Sequence, residues 1–175
     1  MNLDGSLIKL ALRLALLLTA MSVGAAEAEQ TARAALKPAL AAAQKWRPDA
    51  ALTGVSALQA TPEGKAKTWS YMFYSGKSGL AYSVTSSGGK VVDAMEVRPH
   101  VKDPVVAEFV DSDLAAGVGK ANGANAKVMS LLVMGQATKV PASVWTVSAG
   151  FQPGALSVMV DASSGKMLFK QEVPR

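Results

Sequence analysis

The chain has 175 residues, half of them hydrophobic, with a net charge of +5 and no cysteine. That length suits one ordinary domain or two small ones of about 70 residues each. The lack of cysteine excludes disulfides, thiolate metal sites and cysteine nucleophiles. Scattered Lys and Arg, without a basic stripe and interleaved aromatics, exclude a typical nucleic-acid reader.

Residues 1–26 read as a secretory signal peptide. Lys9 and Arg13 form a positive start, and Leu14 to Ala26 is an uninterrupted apolar and small run. That run is shorter than the roughly 20 residues a membrane-spanning helix needs. Cleavage after Ala25, Ala26 or Ala28 fits equally well. Cleavage after Ala26 removes Lys9, Arg13 and Asp4 and leaves 16 basic and 12 acidic residues, a net charge of +4. The expected location is periplasmic or secreted, with no membrane contact after cleavage.

A helix then begins at Pro38, or starts near Thr31 and kinks at Pro38, where the ring removes a hydrogen-bond donor. Leu36, Leu40 and Ala43 share its apolar face, and "WRPDA" ends it. Leu52 to Leu58, Trp69 to Tyr74, "LAYSVT" and "VVDAMEV" read as strands separated by "TPEGK", "SGKSG" and "SSGGK". "RPHVKDP", Arg98 to Pro104, reads as a linker between domains. Ser112 or Asp113 caps a second helix bearing Leu114, Val118 and Ala121, and "NGAN" stops it. "KVMSLLVM", "SVWTVSA", "ALSVMVD" and "KMLFKQEV" are four more strands, with "GQATKVPA" a loop after the first.

This order repeats. Offset by 76 residues, Trp69 falls on Trp145, Val84 on Val160, Gly89 and Lys90 on Gly165 and Lys166, and Glu96 and Val97 on Glu172 and Val173. Counting Leu80 and Ser87 as well, the 29 positions from Trp69 hold eight identities without a gap. The helix faces match best at an offset of 78. Internal repetition decides architecture first. It predicts an α+β protein of two tandem repeats, each one helix on a four-stranded antiparallel sheet. The first spans residues 27–100 and the second 101–175.

The final hairpin, Val160, Asp161, Ala162, Ser164, Gly165 and Lys166, resembles the "V-D-A-x-[ST]-G-K" signature of the PepSY-like family of exported, cystatin-like domains. The first half keeps Val84, Gly89 and Lys90 but has Thr85 in the acidic position. The resemblance implies a role in binding or restraining a protein partner, peptidases among them. It implies no catalysis and no cofactor. In the residues themselves, Asp161 and Gly165 suit a turn.

Catalytic constellations do not assemble. His100 is the only histidine and sits in the linker, which argues against a histidine metal site or a Ser-His-Asp triad. Asp111 and Asp113 stand where helix caps belong. Asp93 and Glu96 point to opposite faces of one strand, so no carboxylate pair converges. Glycine-rich turns lack phosphate-loop spacing, and the methionines read as core filling. No catalytic, cofactor-binding or metal residue is therefore nominated.

The aromatic strand is more informative. Trp69, Tyr71 and Phe73 should face the helix, leaving Ser70, Met72 and Tyr74 on the other face. That second face is covered by the other repeat, or it is an exposed patch for a partner. Met72, Tyr74 and Trp46, just past the first helix, are the candidate partner-binding residues. The expected function is a non-enzymatic exported module that contacts a protein, as a peptidase inhibitor or regulator. The alternative is a carrier for a small apolar ligand held between helix and sheet or between the repeats. Sequence alone leaves the oligomeric state open.

Overall fold

The computed structural model describes residues 28–134 and 142–174. The signal-peptide reading and most of the "GQATKVPA" loop lie outside the described residues. Within them the elements run α1 (Ala32–Trp46), β1 (Ala50–Ala57), β2 (Thr68–Ser75), β3 (Leu80–Ser87), β4 (Lys90–Val97), α2 (Ser112–Ala121), β5 (Val128–Met134), β6 (Ala142–Ser148), β7 (Leu156–Asp161) and β8 (Met167–Glu172). Pro38 lies inside α1, which starts after an N-cap at Thr31.

The expectation of two repeats with separate four-stranded sheets is wrong. All eight strands form one antiparallel sheet in the order β4-β3-β2-β1-β5-β6-β7-β8. The seam is the pairing of β1 with β5, from Gly54 opposite Leu132 to Ala57 opposite Met129. Left apart, each of these first strands would present a row of unpaired N–H and C=O groups. Pairing satisfies both rows at once. Gly54 makes room for this join: a Cβ there would lie 2.9 Å from a methyl carbon of Leu132. Consequently the second sheet face is not covered by the other half of the chain, which extends the sheet sideways instead.

The single 76-residue offset also fails in detail. Trp69 and Trp145 keep it, but Trp69 pairs with Ser86 and Trp145 with Val160, an offset of 74. The N-caps, Thr31 and Asp111, differ by 80, not 78. A gapless alignment cannot see residues gained in one hairpin and lost in the next.

Both helices pack on one face. Ala32, Ala35, Ala39 and Ala43 of α1 and Ala115 and Ala116 of α2 are buried against Trp69, Tyr71, Phe73, Leu131, Trp145 and Val158. Alanine on the helices lets the large rings of the strands fill the layer between. Trp69 and Trp145 meet edge to face across the middle, with ring centroids 6.3 Å apart. Each indole N–H donates to a carbonyl just before a helix, Trp69 to Gln30 at 2.9 Å and Trp145 to Val110 at 2.8 Å.

The helix starts abut. The Asp111 carboxylate accepts from Ser112 N–H at 2.7 Å and from Arg33 N–H at 2.9 Å. Ser112 Oγ accepts from Ala32 N–H at 2.9 Å. Of the residues expected at this cap, Asp111, Ser112 and Asp113, the N-cap is Asp111. One carboxylate serves two helices because both positive ends point at it.

Tyr71 lies beneath this junction and donates to Ala32 O at 2.7 Å. Burial first, then the Asp111 charge, pushes its phenol well above the usual tyrosine value. A raised acid contributes stability that is complete below pH ~10, the value in the unfolded chain, and is lost as pH rises beyond it. Ultraviolet titration should show Tyr71 ionising only together with loss of the far-UV signal. Ionisation of all three tyrosines in intact protein near pH ~10 would refute this.

Candidate functional site

The face opposite the helices carries the most unusual surface. Residues on adjacent strands line up in rows across it. One row is Thr85, Ser70, Ser56, Ser130 and Thr146, each paired with the next. All five are half-buried, and none of their hydroxyls bonds to another described residue. The neighbouring row is Met95, Ser83, Met72, Gly54, Leu132 and Val144. Short side chains make the first row a trough. Met72 and Leu132 make the second a ridge, with Gly54 between them.

The linker completes the relief. His100 and Val101 line a groove of about 220 Å³ with Gly54, Met72 and Leu132, floored by Ser56 and Ser130. Beyond it, Val105 N–H donates to Leu52 O at 2.9 Å and Val106 N–H to Ser143 Oγ at 2.7 Å. The lone histidine is therefore an exposed wall residue of this groove. A second groove, about 590 Å³, continues past Ser56 and Ser70 toward Glu29, Gln59 and Lys67, so its outer end is polar.

None of β1, β2, β3, β5 and β6 contains a charged residue, in a chain that is 18% charged. A solvated sheet face normally alternates apolar with polar and charged side chains. Depletion of charge together with methionine and aromatic side chains is the composition of an interface core. Three methionines are accessible on this face, Met72, Met95 and Met134, whereas Met159 on the same side of the sheet is buried. Of the six among the described residues, Met129 lies in the core under the helices and Met159 is buried as well, so the core-filling reading holds for these two and fails for the four that are exposed or half-buried.

The three candidate residues separate. Met72 and Tyr74 are half-buried on the open face, where strand alternation placed them. Trp46 is on the helix side. Its ring stacks on Tyr82 at 4.8 Å, its N–H donates to Glu96 at 2.7 Å, and the Arg47 guanidinium covers its outer side at 5.4 Å. The stacking and the hydrogen bond tie the end of α1 to β3 and β4, so Trp46 does not join Met72 and Tyr74 in one site.

The final hairpin is a turn device. Asp161 accepts from the amides of Ser163 and Ser164 and from the Ser164 hydroxyl, and Gly165 adopts φ 70°. Partial burial would push this carboxyl up, but those bonds and Lys166 outweigh it and hold it below the usual range. Asp161 is fully engaged with its own turn.

Charge and row arrangement could have exposed the open face from sequence. Five uncharged strands are visible in the letters alone. Which of their residues share a row is not, because rows depend on strand order and register.

The architecture is thus one eight-stranded antiparallel sheet with two helices on a single face. A protein of Clostridium difficile 630, classed as a candidate lipoprotein, has a similar fold. The crystal structure of that protein superposes with a TM-score of 0.55 and 12% identity, over 77% of this chain and 90% of the other. That likeness is one of fold. No family model matches the chain, and no curated protein matches it.

Proposed function

We propose that this chain is an exported, non-enzymatic binding module whose protein partner docks on the open sheet face. One observation carries the reading: five adjacent strands without a charge present methionine, leucine and hydroxyl side chains away from the helices. Methionine suits such a surface because its unbranched, polarisable chain adapts to a partner. Export is supported by the positive start and apolar run of residues 1–26.

A carrier of a small apolar ligand fits less well. The apolar groove holds about 220 Å³, below the ~300 Å³ at which ligand pockets begin. The larger groove ends among Glu29, Gln59 and Lys67. Affinity capture from the exported fraction, with the Leu132→Glu variant as control, tests the proposal. A protein retained by the native chain and lost from the variant is expected. A small molecule released on unfolding, with no protein retained, would overturn it. A retained peptidase that loses activity on binding would give the partner class that the sequence resemblance favours.

A further inference from the structure

The open face presents a trough beside a parallel ridge, two strand residues apart. Such a surface is complementary to itself. A two-fold axis lying in the plane between the rows carries each copy's ridge into the other's trough. That is the isologous geometry of a symmetric dimer, in which residue i meets j and j meets i. We propose that the partner on this face is a second copy of the chain, with Leu132 and Met72 of each seated against Ser56, Ser70 and Ser130 of the other. This rests on the binding reading above.

Three features favour it. First, the area, with the relief of its side chains, reaches the lower end of the range for a stable interface. Five strands about 4.8 Å apart and about 25 Å long give roughly 600 Å² of flat face, and side-chain relief adds to it. A stable interface takes about 800 Å² per partner. Second, the face is neutral while the chain as a whole is basic at +5, so two copies meet without bringing like charges together. Charges stand at its margins, as Asp93 and Asp161 on flanking strands and as Glu29 and Lys67, of opposite sign, at the outer end of the larger groove. Third, the hydroxyl row tolerates being covered. A hydroxyl both donates and accepts, and hydroxyl neighbours across strands are close enough to bond. Five in a row can satisfy one another once water is excluded, whereas amide or charged side chains there would be left unpaired.

Sedimentation of the leader-cleaved protein over a range up to high micromolar concentration tests this. The expected result is twice the monomer mass for the native chain and monomer mass for Leu132→Glu and for Thr146→Lys, each with an unchanged far-UV spectrum. Two variants guard against one that misfolds. A dimer that survives both folded variants overturns the proposal, because another face would hold it. A native monomer that still captures a different protein, with capture lost in Leu132→Glu, overturns the second copy but leaves the binding reading standing. A native monomer that captures nothing overturns both.

Discussion

Replacing Trp145 with alanine lowers stability by about 3–5 kcal/mol, the range for deleting a buried aromatic. Trp145 is fully buried, and its ring meets both Trp69 at 6.3 Å and Phe109 at 6.0 Å edge to face. Truncation leaves a cavity at the point where the two halves join, and it also orphans the Val110 carbonyl that accepts the indole N–H. A domain of this size is stable by only about 5–15 kcal/mol, so the loss is a large fraction of the whole. Urea unfolding followed by far-UV circular dichroism gives the number without relying on tryptophan emission. Trp69→Ala costs a similar amount, but the double variant costs less than the sum, because the rings share contacts. A loss below about 1 kcal/mol for Trp145→Ala would mean that the site collapses around the gap, and that the junction is not held by this pair.

The tryptophans were also the clearest signal in the sequence. Their 76-residue spacing marks two corresponding strands of the one sheet, and the alternation around Trp69 places Tyr71 and Phe73 under the helix, where they are buried. All eight strands and both helices were legible from apolar periodicity and from turn residues. What was not legible was how the two halves meet. Periodicity describes one element at a time, whereas edge-to-edge pairing of β1 with β5 depends on which edges are left unpaired after each meander forms. The only local trace is Gly54, whose missing side chain accommodates Leu132 across the seam.

The same limit governs the site. Met72 and Tyr74 were assigned to the face away from the helix by alternation within one strand. Leu132, Ser130 and Thr146 were missed because they belong to the other half and join the surface only through the seam. Trp46 is a candidate partner anchor, or equally a core lid, from its place at the helix end, and its N–H bond to Glu96 and stacking on Tyr82 depend on residues 50 and 36 positions away. A sequence pattern confined to one helix cannot anticipate them.

The second large effect is expected at Asp111. Alanine there removes the acceptor for the amides of Ser112 and Arg33, the starts of two helices at once. Losing a single N-cap costs about 0.5–2 kcal/mol. Two caps on one side chain give an expected loss of about 2–3 kcal/mol, read as a lowered urea midpoint. Asparagine separates two causes. Its side-chain oxygen can still accept both bonds, but the charge that faces two positive helix ends is gone. Asp111→Asn should therefore retain most of the stability, with a loss of about 1 kcal/mol that shrinks as salt is raised. Ser112→Ala removes only the acceptor for Ala32 N–H, and it should couple to Asp111→Ala, since both groups hold the same helix start. If Asp111→Ala loses under about 0.5 kcal/mol, each helix is capped well enough without it, and the head-to-head junction is a contact rather than a support. A full loss instead makes the junction the counterpart, on the helix layer, of the strand seam beneath it: the two halves are then fastened at both levels, by one carboxylate above and the four residue pairs of the β1–β5 seam below.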